Sequence, residues 1–294
     1  MFLEQLINGV TLGSIYAIVA LGYTLVFGVL DIINMAHGEI FMFGAFVGML
    51  ILSKAGAPLP VAFLGAIVVA SAMGLLLERL ALRPLRGRPG ASHLASLIST
   101  IGVSILLENV AHKIFGSGNH LFETPFAEIS FQLGGVTVYL VQGVILLISL
   151  LLMAGLALWL SRTRSGKALR ATAEDLETAG LLGVDTNRMI TVTVVIASAM
   201  GGVAGVLVGM AFSYINNQIG LSMGLKGLAI IIFGGMGSVY GAMAGGLILG
   251  LSETFVVAYG SSGYRDAIAF VAIIVVLLIK PQGLFGQAPA EAKR

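Results

Sequence analysis

The stretch SRTRSGKALRATAEDLETAGLLGVDTNR, Ser161–Arg188, is the longest polar interruption in a chain of 294 residues that is 57% apolar and only 10% charged. Soluble domains carry roughly 25% charged residues, and the mean hydropathy here is +1.01. The chain therefore reads as an all-α polytopic membrane protein, with this stretch as its main surface exposed to water.

Within the stretch, the pattern predicts a helix of about three to four turns. Ser165 is the expected N-cap. Leu169, Ala173, Leu176 and Ala179 form an apolar row, opposite a polar side of Lys167, Arg170, Glu174 and Glu177. Arg170 and Glu174 stand four residues apart, the spacing of a helical ion pair, and Gly180 and Gly183 supply stop signals. A helix of this kind suits a partner's groove; a solvated loop helix without a partner fits the same pattern.

Working outward, apolar windows near the 20 residues needed to cross the bilayer fall at Leu6–Leu30, Ile40–Ser53, Leu59–Leu82, Leu94–His112, Val136–Leu160, Met189–Ala211, Leu221–Met236, Val239–Ala258 and Ala267–Ile279. The second, seventh and last are short and read as half-helices or tilted pieces. The expectation is a single transmembrane domain over residues 1–294 with about eight to ten membrane helices. No basic segment precedes the first span, which is expected to be retained as an insertion signal.

Basic residues set the orientation. Arg79, Arg83, Arg86 and Arg88, then Arg162, Arg164, Lys167, Arg170 and Arg188, then Lys280, Lys293 and Arg294 place twelve of the sixteen lysines and arginines on one side. Short cytoplasmic loops concentrate such residues. Residues 161–188 and the C-terminus are thus expected in the cytoplasm and the N-terminus in the periplasm. Lys54, Lys113 and Arg265 fall on the outer side, Lys226 inside an apolar region, and residues 113–135 form the main outer loop. That loop reads either as a plain connector or as a short hairpin or amphipathic piece.

Forty glycines punctuate the spans, with Gly201, Gly205 and Gly209 on one helical face and Gly237, Gly241 and Gly245 on another. They serve close helix packing, or, in FGGMGSVYG at Phe233–Gly241, a helix break whose free backbone groups line a cavity. Two stretches read as intramembrane breaks, Asp31–Phe46 and Met223–Gly237, each opening on a polar residue beside glycine, His37-Gly38 and Lys226-Gly227. Their similar layout suggests an internal repeat, as transporter folds often contain. Glu39, Glu78, Glu108 and Glu253 lie mostly towards span ends, where water and interhelical hydrogen bonds are expected to satisfy them.

The missing chemistry is informative. There is no cysteine and only four scattered histidines, which leaves neither disulfides nor an evident metal set. No phosphate-binding G-x-x-x-x-G-K-[ST] element, H-E-x-x-H or G-x-S-x-G occurs, so neither ATP hydrolysis nor a membrane hydrolase is supported, and a net charge of +2 offers nothing to nucleic acid.

The segments Asn8–Phe46, Glu78–Gly87, Ile196–Gly209, Gly234–Glu253 and KPQGLFG at Lys280–Gly286, together with the 161–188 stretch, resemble the permease subunits of branched-chain amino-acid (leucine, isoleucine, valine) ABC importers, of the H type. The resemblance implies a second homologous permease, two cytoplasmic ATPase subunits that bind ATP and magnesium, and a periplasmic amino-acid-binding protein. It implies an inner-membrane location and no cofactor on this chain. Residues Gly166–Val184 are similar to the family's coupling segment, which implies ATPase contact through Gly166, Arg170, Ala171, Glu174, Asp175, Ala179 and Gly183; the segment departs from the maltose-type motif in lacking its terminal Leu-Pro. Candidate lining of the substrate path comes from Asn34, His37, Asn216, Asn217, Lys226, Gly234 and Gly235. Importers of amides, urea or a sugar, an ion-driven carrier and a passive channel remain the rival readings at this point.

Overall fold

The computed structural model describes residues 2–86, 93–124, 126–133 and 136–286. Of the positions named above, Gly87, Arg88, Lys293 and Arg294 lie outside these, as do residues 125 and 134–135 of the 113–135 loop. Eleven α-helices are described, in the order α1 Phe2–Leu30, α2 His37–Met49, α3 Leu59–Leu77, α4 His93–Phe115, α5 Leu140–Arg162, α6 Arg164–Glu174, α7 Leu176–Leu181, α8 Thr186–Phe212, α9 Ile219–Gly234, α10 Val239–Tyr259 and α11 Arg265–Ile279. Eight helical stretches are long and apolar enough to cross a membrane. Turns of π type carry the second to Lys54 and the third onward from Glu78, so the expected short second span is of full length. The short seventh span stays short: α9 has 16 residues, about 24 Å at 1.5 Å per residue.

The centre of the bundle is α1, whose side chains are buried almost continuously from Thr11 to Val26. It is enclosed by α8, α9 and α10, while α2 lies between α3, α8 and α9. The amino-acid pattern explains the arrangement. α1 is apolar all round rather than along one stripe, which suits a helix covered on every side, and it meets α10 through glycine. A Cβ on Gly13 would lie 2.8 Å from the Leu247 Cα, and one on Gly246 2.5 Å from the Ala17 Cα. Gly44 of α2 meets Gly202 of α8 in the same way. On the periphery, α3, α4, α5 and α11 expose Leu64, Val68, Leu106, Leu150, Leu151 and Leu278, an apolar surface suited to lipid or another membrane subunit.

The expected outer loop is more than a connector. Strand β1, His120–Leu121, pairs antiparallel with β4, Tyr214–Ile215, and β2, Ser130–Leu133, with β3, Val136–Tyr139. The expected span from Val136 therefore starts at Leu140. Its first four residues, VTVY, carry the β-branched and aromatic side chains that favour strand.

The two expected breaks differ in kind. The first is real: α1 ends at Leu30, Asp31 adopts a left-handed φ of 52°, and α2 restarts at His37. The second is displaced, because α9 runs unbroken through Lys226-Gly227 and ends only at Gly234. Gly227 is there for packing; a Cβ would meet the Tyr23 ring at 2.8 Å. The interruption falls at Gly235–Ser238, where Gly235 and Gly237 have φ of 109° and 78°.

If glycine contact holds the core, Gly13→Leu forces α1 from α10 at a cost of about 1–3 kcal/mol or more, lowering the melting temperature in detergent. Gly102→Leu, on α4 with nothing within 4 Å of its Cβ, leaves melting unchanged; equal effects of the two contradict the packing account.

Candidate functional site

The polar stretch folds as two capped helices. Thr163, not Ser165, caps α6: its Oγ1 accepts from the Gly166 N–H at 3.0 Å and donates to the Trp159 carbonyl at 2.7 Å. The hydroxyl thus ties α6 to the last turn of α5. Gly166 makes the fold-back possible, since a Cβ would lie 2.7 Å from the Leu160 Cα. The expected single helix breaks at Asp175, whose extended backbone ends α6 and whose carboxylate starts α7. Asp175 Oδ1 accepts from the N–H groups of Glu177 at 2.9 Å and Thr178 at 2.8 Å, and Oδ2 from the Thr178 hydroxyl at 2.9 Å. The Thr178 N–H above all holds this carboxyl below its usual range. The cap is therefore intact at neutral pH and is lost as pH falls through the lowered value. Gly183, at φ 87°, closes α7, and Asp185 caps α8 through the Arg188 N–H at 3.0 Å.

This kink resets the helical phase, so the buried row is Gly166, Leu169 and Thr172, joined by Ala179 of α7. Ala173 and Leu176 are exposed, contrary to the expected apolar row. Arg170 and Glu174 form no ion pair; both stand free on the surface. Of the expected contact positions, Arg170, Ala171, Glu174, Asp175 and Gly183 are exposed, whereas Gly166 and Ala179 support the element from beneath. At the tip, Leu181 and Leu182 are 83% and 79% exposed.

Beside α6 lies a groove of about 650 Å3 lined by Arg170, Glu174, Met236, Gly237, Tyr240 and Phe285, among others. The glycine-rich break therefore flanks the polar stretch. Its carbonyls are not free, however: the Leu284 N–H donates to Phe233 and the Phe285 N–H to Gly234, each at 2.9 Å. The KPQGLFG motif thus caps α9. Its glycines permit the approach, since a Cβ on Gly283 would lie 2.7 Å from the Gly235 Cα.

Inside the bundle, Lys226 is 7% exposed, and its Nζ donates to Glu253 Oε2 at 3.0 Å and to the Tyr16 hydroxyl at 3.1 Å. It also pairs with Asp266 Oδ1 at 3.0 Å, while the Tyr16 hydroxyl donates to Glu253 at 2.7 Å. Four helices, α1, α9, α10 and α11, meet at this ammonium. Glu253, Glu39 and Glu78 are 0%, 1% and 1% exposed, so the expected access of these carboxylates to water is corrected. They have protein partners instead: Ser104 for Glu39 and Arg86 for Glu78. Glu108 alone of the four is substantially exposed.

The seven candidate path residues do not converge on one cavity. Asn34 and His37 are sealed within the first break, with His37 against the Tyr23 ring at 4.7 Å. Asn217 is buried and donates to the Gly116 carbonyl at 2.7 Å. Asn216 and Lys226 share a cavity of about 210 Å3 towards the end of the bundle away from residues 161–188, and Gly234 and Gly235 lie at the opposite end. No group of three or more potential metal ligands occurs among the described residues.

Residues 5–277 match the family described as branched-chain amino acid transport system / permease component. The chain belongs to that family. Relatives include the high-affinity branched-chain amino acid transport system permease protein LivH of Salmonella typhimurium, 41% identical over 99% of this chain and 97% of the relative. The corresponding permease protein BraD of Pseudomonas aeruginosa is 42% identical with the same coverage. Among solved structures, PsaBC from Streptococcus pneumoniae in complex with Fab matches 96% of this chain and 93% of its own at TM-score 0.50 and 14% identity, a likeness of fold.

The Lys226–Glu253 pair gives a direct energetic test. Glu253→Ala leaves a buried ammonium short of a partner and destabilises by about 3–5 kcal/mol, whereas Lys226→Met with Glu253→Leu removes both charges and restores most of that. Thermal unfolding of the purified protein reads the difference; equal loss in single and double variants contradicts the pairing.

Proposed function

We propose that this permease component is one of two homologous membrane subunits of an ATP-driven ABC importer, which moves branched-chain amino acids across the bacterial inner membrane. Two cytoplasmic ATPase subunits bind ATP and magnesium, and a periplasmic binding protein delivers the amino acid. The chain itself binds no cofactor and catalyses no reaction. The observation that carries the reading is the end-to-end match, at 41–42% identity, to permeases named for high-affinity branched-chain amino acid transport. The architecture of residues 161–188 supports it.

That element has what transmission of force requires. It is clamped to α5 by Thr163 and Gly166, capped internally by Asp175 and Asp185, and tipped by the exposed Leu181 and Leu182. Docked on an ATPase groove, those two leucines leave water, each contributing about 1.5–3 kcal/mol. The concentration of basic residues at this end supports a cytoplasmic location for it, with the N-terminus on the periplasmic side. ATP closure then draws the two permeases' elements together, and the central path opens inward by rigid-body rocking.

Co-purification in mild detergent with the ATPase subunits tests the assembly. The wild type captures the ATPase, and Leu181→Asp plus Leu182→Asp lowers capture by about tenfold or more; Arg170→Glu plus Glu174→Lys weakens it further at the groove's rim. A folded wild-type chain that captures no ATPase overturns the reading.

A further inference from the structure

At the end of the bundle opposite residues 161–188 lies a cavity of about 480 Å3, within the size range of small-ligand pockets. The first turns of α1, the first turn of α5, the last turns of α8 and α10 and the first residue of α11 enclose it. Each of the helices α1, α5, α8 and α10 contributes apolar lining, through Leu12, Ile145, Met210 and Val257. Arg265 is its sole charged lining residue among those described.

Arg265 is unusual in its surroundings. The guanidinium lies over the Phe212 ring, 5.8 Å from its centroid. Among the described residues, the buried Nε has no hydrogen-bond partner and no carboxylate pairs with the side chain. The adjacent carboxylate, Asp266, is engaged by Lys226, which also holds Glu253. A buried guanidinium N–H left without an acceptor is costly, and a native structure that retains one points to an absent anion or water. The planar fork of arginine fits a carboxylate in two parallel hydrogen bonds.

The facing polar groups have the opposite character. Thr11 donates its hydroxyl proton to the Ile7 carbonyl and Thr254 to the Gly250 carbonyl, both at 2.8 Å. Each oxygen therefore presents only acceptor lone pairs to the cavity. Asn8, also in the lining, has an Oδ1 that accepts from Gln142 at 2.6 Å and keeps a second lone pair. Such acceptors suit an ammonium and repel a carboxylate.

Taking the import reading above as its basis, we propose that this cavity is an amino-acid station at the outer mouth of the path. Arg265 binds the substrate carboxylate, the oxygens of Thr11, Thr254 and Asn8 accept from its ammonium, and the apolar lining of Leu12, Ile145, Met210 and Val257 receives the branched side chain. Arg265 and Phe212 also line the neighbouring cavity of about 210 Å3 that holds Asn216 and Lys226. The stacked guanidinium thus stands at the partition between a vestibule and a deeper polar space.

The test is binding of radiolabelled L-leucine to the purified permease–ATPase complex without the binding protein, competed by three analogues. Isocaproate, which keeps the carboxylate, competes; isopentylamine and leucinol, which lack it, do not. Arg265→Gln weakens leucine binding by about tenfold or more, the value of a charged bidentate hydrogen bond, and Arg265→Lys recovers part of the loss. The analogue series uses the wild type alone and so decides even where a variant misfolds. Absence of saturable leucine binding, equal competition by isopentylamine, or leucine binding unchanged in a folded Arg265→Gln complex overturns the proposal. ATP-driven uptake of leucine by the wild type, measured alongside, separates the cases: with uptake intact, these results remove the station and leave the importer standing.

Discussion

The structure depends on backbone approach between helices in a solvent that offers no hydrophobic drive for their association. Gly9, Gly13, Gly246 and Gly250 let α1 and α10 touch main chain to main chain, Gly44 and Gly205 do the same for α2 and α8, and Gly202 does so for α8 and α3. Every other feature presupposes this spacing. Only with α1 and α10 in contact do the Tyr16 hydroxyl and the Glu253 carboxylate come together around Lys226 of α9. The buried charge pins the arrangement; glycine makes it reachable.

The same economy of side chains leaves the polar chemistry at the two ends. One end carries α6 and α7 with their exposed leucines, and the other carries the cavity around Arg265. A single uninterrupted helix, α5, joins them: Val141, Gln142 and Ile145 line the cavity around Arg265, and Trp159 and Leu160 receive the Thr163 and Gly166 contacts of α6. A packed, contiguous element of this kind meets the physical requirement for moving one end in response to the other.

Where the sequence was legible, the signal was strong and local. Apolar length located the membrane helices, and the first glycine row located one packing seam, since Gly201 and Gly205 meet α2; the second row did not hold as one face, because Gly237 lies in the interruption before α10. Reading failed where one pattern serves two ends. Lys226-Gly227 looked like a break because a charge beside glycine is costly in a helix within lipid; in the fold, Gly227 accommodates the Tyr23 ring, and Lys226 is neutralised by residues 27 and 40 positions away. Ser165 and Thr163 are both acceptable caps by residue type, and only the contact with Trp159 selects Thr163. The kink at Asp175 was likewise hidden, since a single helix satisfies the same hydrophobic spacing. Arg265 read as an ordinary outer charge; its environment comes from Phe212 and the ends of distant helices, which local spacing does not encode. KPQGLFG stood out as a motif, yet its work as a cap for α9 emerges only when the C-terminal segment reaches Phe233 and Gly234.

The most direct measurement of the central claim is leucine uptake into proteoliposomes that contain this chain, its partner permease and the ATPase subunits, with binding protein outside and ATP within. The account predicts accumulation that requires both ATP and the binding protein and is indifferent to proton or sodium gradients. Accumulation that follows an ion gradient without the ATPase would contradict it.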